Sequence, residues 1–597
     1  RQQPFVYFDI ETSNLKILDT TILSIAFACD HDYVVVIPKV VFDHEEVRAA
    51  LRLTCDTPSL KWAGHNAQFD AARLITQYHA YPYISEDTLL EHYALDERTG
   101  THDLKTLAQK FLRVPDWEAD IKQWINKDNS SYALIPEETL WRYNARDVAY
   151  GYDLHQLFRP QVAAEPDLER LYTELLIPGT NALVDLSVRG VKIDLARLGE
   201  IRAGAEKTID DLRATMRVSL KDPEFNPNST RQVAHIIYDV YKSPPFSKSR
   251  PLPVESSEPA KAPYGRKDKT TALDQLERLA QPRYACSEFA GWMVGYRKAH
   301  QLVKTYLKNL YPESDGRIHP GLMMFGTVTG RLAGSKPNIL NLPRTGPIRS
   351  LVIPEPGNIL LTIDYKASEL RVLCALAGSK GLLELFKADK DPHNYVGQHI
   401  YGDKYNPELH RTGVKEVNFG VAYDRGPKSI AEALGVSFGE AKQIRTMVLN
   451  LLGVDEWQQE QLRLVKTQQY VTTPTGRRRR FPLILAKLWA DIRRQAINMP
   501  VQGTSSDMCT LSLIETNKWI EQYGGTILFP THDSLLLEFP TEHIAVVAAR
   551  VSRAMIDAGT HILGEDFTAG VDLAIGYSYD KKDMKEYVVE KETDNAE

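Results

Sequence analysis

Two apolar stretches, far apart in the chain, each meet an aspartate. NILLTIDYKA carries Asp364 at its end, and THDSLLLEFP carries Asp533 at its start. Buried strands rarely hold acids. Singly, each aspartate has an ordinary explanation, a carboxylate that caps backbone N–H groups at a turn. Side by side the two repel, and one takes up a proton unless a cation sits between them. A pair of Mg2+ ions removes that conflict and creates a phosphoryl-transfer site. Two unrelated caps are the competing explanation.

The segment HRTGVKEVNFGVAYDRG (410–426) bears on the choice. Arg411, Lys415, Phe419 and Tyr423 are spaced by four and form one stripe on a helix. Its cations suit a triphosphate, and its rings suit a base. The alternative is an amphipathic face with its aromatics in the core. Gly413 and Gly420 cost about 1 kcal/mol each inside a helix, which makes more sense where close approach or motion is required.

A second set of acids lies near the N-terminus. DIET places Asp9 and Glu11 on one strand face. HNAQFD adds Asn66 and Asp70, and YNARD adds Tyr143 and Asp147, neighbours on a helix. Four carboxylates and a phenol suggest a second two-metal centre, one that hydrolyses phosphodiesters with Tyr143 positioning the attacking water. Any one of these acids alone reads as a surface charge.

The elements that must position these residues are ordinary in composition. The 597 residues are 43% hydrophobic and 25% charged, with a net charge of −6, enough for several domains with large cores. That charge does not decide for or against a nucleic-acid partner, since a basic groove can sit on an anionic protein. The five cysteines form no CxxC or Cys/His cluster, which fits a reducing compartment, here the cytoplasm, without structural zinc. No apolar run reaches the ~18 residues of a membrane helix, and RQQPFVYFDIET is not a secretory signal. The chain does not begin with Met, so the numbering is expected to start inside a longer or processed form.

FVYFDIE, ILSIAFACD and YVVVIPKV read as three strands, with helices at HEEVRAALRL and HDLKTLAQKFL. AAEPD (163–167) reads as a linker. LERLYTELLIPGTNALVDLSVRG is helical and ends at Gly190. The Pro-, Ser- and Lys-rich stretch 243–269 should be mobile. A strand and helix follow at 349–384, a helical block at about 385–470, and the strand pair GGTILFP and SLLLEFP near the end. No internal repeat is present. The expected fold class is α/β and α+β multidomain.

LLTIDYKASELRVL, RTGVKEVNFGVAY and THDSLLLEF occur in the order of motifs A, B and C of family A DNA polymerases, the bacterial polymerase I class, which the chain resembles over about 170–580. TVTGRLAGSKPNILNLP and RRQAINMPVQGTSSD resemble that family's primer and minor-groove segments. GVKID and FNPNSTRQV resemble its thumb signatures. The resemblance implies that Asp364, Asp533 and the Tyr365 backbone carbonyl hold two Mg2+ ions, with Mn2+ as a substitute. Arg411 and Lys415 would grip the triphosphate, Lys415 also protonating pyrophosphate, with His393 a further phosphate contact. Glu369 would select deoxyribose, and Tyr423 would sit at the template side of the new pair. Phe419 is the family form that rejects dideoxynucleotides. Arg331, Arg494, Asn498, Gln502 and His532 would contact primer–template DNA. Many members carry Glu after the motif C aspartate. Here it is Ser534, whose hydroxyl is expected to orient a metal-bound water.

The first domain resembles DEDDy-type 3′–5′ exonucleases, of ribonuclease H-like fold. Asp9, Glu11, Asp70 and Asp147 would be its metal ligands, Tyr143 its water-positioning phenol and Asn66 a DNA contact. Together the resemblances imply an exonuclease domain at 1–165, then a right-hand polymerase: thumb and start of palm at 166–348, palm with motif A at 349–384, fingers with motif B at 385–475, palm with motif C at 476–597. The expected protein is a monomeric proofreading DNA polymerase of replication, using primer–template DNA and dNTPs, compact as in many phage polymerases and with no 5′-nuclease domain in front. Competing readings are a nuclease with a degenerate polymerase half and a non-catalytic DNA-binding scaffold. The basic run Arg477–Arg480 is expected to bind phosphate rather than sit in solvent. The cations of 247–269 would grip the duplex or a processivity partner.

Overall fold

The computed structural model describes residues 5–125, 131–244, 269–343, 346–388 and 390–589. The segment expected to be mobile therefore lies, but for its ends, outside the described residues. The chain forms two compact units: residues 1–192, 312–344 and 352–597 make the larger, and residues 193–311 with 345–351 the smaller.

The larger unit contains two five-stranded sheets. The first comprises β1 (Phe5–Thr12), β2 (Ile22–Ala28), β3 (Val34–Pro38), β4 (Lys61–Gly64) and β5 (Ile84–Asp87), in the order β3-β2-β1-β4-β5. β1 runs antiparallel to β2 and parallel to β4. Side chains alternate along β1, so Tyr7, Asp9 and Glu11 share a face. Tyr7 packs with Val148, and a Cβ at Gly151 would enter the Tyr7 ring. The long helix Glu137–Ala163 is thus drawn against the face of β1 that carries the acids.

The second sheet is antiparallel and comprises β6 (Asn358–Tyr365), β7 (Thr526–Thr531), β8 (Ser534–Pro540), β9 (Val571–Gly576) and β10 (Lys585–Tyr587), in the order β7-β8-β6-β9-β10. Its centre is continuous hydrocarbon: Leu360, Leu361, Ile363, Leu535, Leu536 and Leu537 are all buried. The helix Trp489–Asn517 packs on it. Between the motif A and motif C strands lie the helices Pro392–Tyr401, Pro407–Ala422, Pro427–Leu434, Phe438–Leu452 and Asp455–Gln468, the helical block read from the sequence.

The smaller unit is helical. Asp194 caps the helix Leu195–Leu220 by accepting the Arg197 N–H, and that helix packs with Ser287–Gln301 around Met216, Phe225, Phe289 and Met293. The FNPNS turn is tied to the residues around it: Asn226 N–H donates to Gln232 Oε1 at 2.7 Å and Asn228 Nδ2 to the Tyr296 hydroxyl at 3.1 Å. Among the described residues no helix is long and apolar enough to cross a membrane.

Candidate active sites

β6 carries Asp364 to its penultimate position, opposite Ser534 on β8 and Asp572 on β9. His532 and Asp533 form the two-residue turn between β7 and β8, with His532 in the left-handed region at φ 56°. Tyr365 N–H donates to the Asp533 carbonyl at 3.1 Å, and the Asp364 and Asp533 side chains lie close enough to interact. Burial raises the Asp533 carboxyl above its usual range, with Glu369 adding repulsion, while its own N–H and His532 act the other way. The Tyr365 phenol points into the core, donating to the Met555 carbonyl at 2.6 Å, so its backbone alone is left for the site.

Glu369, on the helix Ser368–Leu376, is held from two sides, by the Arg331 guanidinium and by the Tyr423 hydroxyl. Arg331 is fixed in turn by its backbone, whose carbonyl accepts from Thr327 Oγ1 at 2.7 Å. Three residues expected to act separately on the primer, sugar and template thus form one contact. Arg331 and His532 line a shared pocket of about 250 Å3.

Arg411, Lys415 and Phe419 lie on the helix Pro407–Ala422, which Asn406 caps by accepting the Glu408 N–H. Lys415 Nζ stands 5.9 Å from the Phe419 ring centroid. Tyr423 falls just past the last helical residue, so the expected four-residue stripe is three helical residues and a terminal one. Arg411 donates through Nε and Nη2 to Asp391 Oδ2, at 3.1 and 2.6 Å. Asp391, which the sequence reading missed, also caps the helix Pro392–Tyr401; the D-P pair is the local signal for it. His393 is buried, and Asn418 Nδ2 lies 2.9 Å from its Nδ1. Burial, with Arg411 and Lys415 assisting against Asp391, lowers it to about 4, so it is a neutral ring at pH 7. The two glycines differ. A Cβ at Gly420 would collide with the Arg425 side chain, whereas one at Gly413 would make ordinary contact with Leu434.

Arg494, Asn498 and Gln502 follow one another along one face of the helix Trp489–Asn517. Arg494 pairs with Asp491, and Asn498 Oδ1 is buried without a hydrogen bond among the described residues. Two expectations meet partners that the sequence did not show. Within the run Arg477–Arg480, Arg477 is buried and donates to Asp507 Oδ1 at 2.6 Å, which removes it from any phosphate, while the half-buried Arg478 pairs with Glu165, and Arg479 and Arg480 reach Glu97 at 3.5 and 2.7 Å. The acids that take up these cations lie far away in sequence, so no local pattern showed them. Ser534 Oγ donates to the Thr531 carbonyl at 2.9 Å, so its proton closes the hairpin turn and its lone pairs are what it could offer to a metal-bound water.

The N-terminal acids converge as well. Ligand oxygens of Asp9, Glu11 and Asp147 all lie within 4.8 Å of one another. They line a cavity of about 1060 Å3 together with Asn66, Asp70 and Tyr143. Asp70 stands slightly apart, accepting the Ile10 N–H at 3.0 Å, and burial pushes it up to about 7. Burial and the neighbouring carboxylates raise Asp9 and Glu11 strongly. Three further residues shape the site. Asn144 Nδ2 donates to Asp9 Oδ2 at 2.6 Å, Trp117 Nε1 to Asp147 Oδ1 at 2.6 Å, and Lys105 Nζ to Asp147 Oδ2 at 2.7 Å. Asn144 was legible in principle, three residues before Asp147 and so on its face of the helix. Lys105 and Trp117 were not.

A model of DNA polymerase family A matches residues 195–581, and a 3′-5′ exonuclease model matches residues 1–163. The chain belongs to DNA polymerase family A. Among its relatives, DNA polymerase I of Chloroflexus aurantiacus is 28% identical over 97% of this chain and 62% of its own length. DNA polymerase I of Pseudomonas aeruginosa is 27% identical over 96% and 63%. The thermostable DNA polymerase I of Thermus aquaticus is 29% identical over 66% and 47%. The chain thus spans less than two thirds of the length of these relatives. In fold it is similar to the polymerase domain of Pol1 from M. smegmatis, solved in complex with DNA primer-template and dNTP. The TM-score is 0.80 at 23% identity, covering 96% of this chain and 95% of that one. The exonuclease match contains Asp9, Glu11, Asp70 and Asp147, and the polymerase match contains Asp364 and Asp533.

Proposed function

We propose that the chain is a DNA-templated DNA polymerase of replication that extends a primer 3′-hydroxyl with dNTPs and proofreads with a 3′–5′ exonuclease. The observation that carries this reading is the meeting of Asp364 and Asp533, delivered by separate strands to one end of an apolar sheet.

Asp364, Asp533 and the Tyr365 carbonyl would hold the divalent ions of the polymerase centre. Asp9, Glu11, Asp147 and Asp70 would hold those of the exonuclease centre. The donors fit Mg2+, with Mn2+ as a substitute, since all are oxygens and carboxylates this close need a cation to ionise together. Such ions, when bound, acidify the attacking oxygen and neutralise phosphate charge.

The remaining work falls to the protein's own groups. Arg411 exchanges Asp391 for phosphate oxygens, a like-for-like trade of charge-assisted hydrogen bonds. Lys415 grips the same phosphates and gives a proton to the departing pyrophosphate, and neutral His393 serves as a hydrogen-bonding partner. Phe419 and Tyr423 present rings to the incoming pair. Glu369, locked by Arg331 and Tyr423, crowds the 2′ position and selects deoxyribose. Arg331, Arg494, Asn498, Gln502 and His532 contact the primer end and duplex. In the exonuclease centre Tyr143 positions the attacking water and Asn66 contacts the strand. The partners are primer–template DNA and dNTPs, and the protein acts as a monomer in the cytoplasm.

Primer extension and degradation with Mg2+ test the assignment. Asp364→Ala should abolish extension and keep degradation, and Asp9→Ala should do the reverse. Extension that survives Asp364→Ala would refute the reading.

A further inference from the structure

The exonuclease centre contains a cation of its own. Lys105 Nζ lies 2.7 Å from Asp147 Oδ2 and 4.8 Å from the centroid of the Tyr143 ring, and its side chain is 24% exposed. It is placed there by packing. The helix Leu104–Leu107 is capped by Asp103, and Leu104 and Leu107 are buried in the same cluster as Trp117 and Tyr143. Both oxygens of Asp147 are therefore occupied, one by the neutral Trp117 N–H and the other by the Lys105 ammonium.

A divalent ion that reaches Asp147 has to displace one of these donors. The ammonium is the one whose charge opposes the ion, and its long stem allows it to leave. We propose that Lys105 is a positioning residue of the exonuclease centre, a resident counter-ion that holds Asp147 in place without metal and is displaced as the ion binds. Metal loading is then an exchange of cations rather than a simple addition. The proposal rests on the reading of Asp9, Glu11 and Asp147 as metal ligands. It accounts for how three acids remain packed together before an ion arrives: Lys105 neutralises Asp147, while Asn144 satisfies Asp9.

The test is a Mn2+ titration of the full chain at pH 8, following free Mn2+ by electron paramagnetic resonance. All proteins carry Asp533→Ala, to weaken ion binding at the polymerase centre. Lys105→Met keeps the aliphatic stem and removes the charge, and it should tighten Mn2+ binding about tenfold or more. Lys105→Gln should act in the same direction and guards against a folding defect peculiar to Met. Lys105→Arg keeps the charge and should stay within about twofold of the parent. Thermal denaturation gives a second readout: Lys105→Met should melt lower than the parent without ions and gain more from saturating Mn2+. Unchanged or weaker Mn2+ binding in both Lys105→Met and Lys105→Gln overturns the proposal. A separate arm tests the underlying reading. If Asp9→Ala with Asp147→Ala binds as much Mn2+ as the parent, the metal-centre assignment fails and the proposal falls with it.

Discussion

Arg477 and Asp507 form an ion pair with almost no access to solvent, their side chains being 4% and 0% exposed. Arg477 Nε donates to Asp507 Oδ1 at 2.6 Å, Thr475 donates to Oδ2, and an Arg477 guanidinium N–H approaches the Tyr93 hydroxyl at 3.4 Å. Removing the arginine alone, as Arg477→Met, leaves a buried carboxylate with only a hydroxyl partner. The expected cost is about 3–5 kcal/mol, the range for a buried pair broken from one side. Asp507→Leu leaves the guanidinium stranded and should cost a similar amount. The double variant replaces the pair with hydrocarbon and should cost far less than the sum, with a coupling of roughly 3 kcal/mol or more. Denaturant unfolding, with hydrogen exchange along Trp489–Asn517 as a local readout, measures all four corners of the cycle. Function should follow stability, because Ser506 Oγ donates to the Gly330 carbonyl at 3.0 Å, beside Arg331. Arg477→Met should therefore also raise the KM for primer–template. Additive costs in the double variant would refute the reasoning, since they would mean that the two charges do not depend on each other.

Other outcomes follow from the same structure. Asp70 has a folded pKa of about 7 against about 3.9 unfolded, so the fold favours its protonated form and loses that contribution as pH rises from about 4 through 7. Without metal, Asp70→Asn should gain stability over the parent across that window, by at most about 4 kcal/mol; a pH-independent difference in urea midpoints would contradict this. The chain should prefer deoxy- over dideoxynucleotides in competition, and Phe419→Tyr should narrow the preference; equal use by the unaltered chain would count against the assignment. Glu369→Ala should raise ribonucleotide incorporation by an order of magnitude or more, about 1.4 kcal/mol of lost discrimination, read by extension with rNTPs. Asp391→Asn removes the charge that Arg411 must leave and should lower the apparent KM for dNTPs; a higher KM would show that Asp391 helps Arg411 instead of competing with the triphosphate.

Much of this protein was legible along the chain. Alternating and continuous apolar runs marked β1 to β3, β6 and β8, because a strand's burial is written in its period. The acids were legible because Asp364, Asp533, Asp9 and Glu11 sit where hydrocarbon is the rule, and such exceptions are informative. Gly190 marked the end of a helix because the chain there needs φ 63°, which glycine adopts without strain. Spacing on one helix was enough for Arg411, Lys415 and Phe419, and it overreached by one residue at Tyr423.

Tertiary structure alone decided which charges face which. Arg477–Arg480 read as a phosphate-binding run, yet its partners Glu97, Glu165 and Asp507 come from elsewhere in the chain. Lys105 resembled any helix-surface lysine until packing set it on Asp147. Arg411 appeared free to bind a ligand until Asp391 claimed it. A residue's type and local period state what it can do, through its propensity and its own chemistry. Whether it does so depends on which opposite charge arrives within about 4 Å, and that is set by long-range packing, which leaves no mark on its immediate neighbours in sequence.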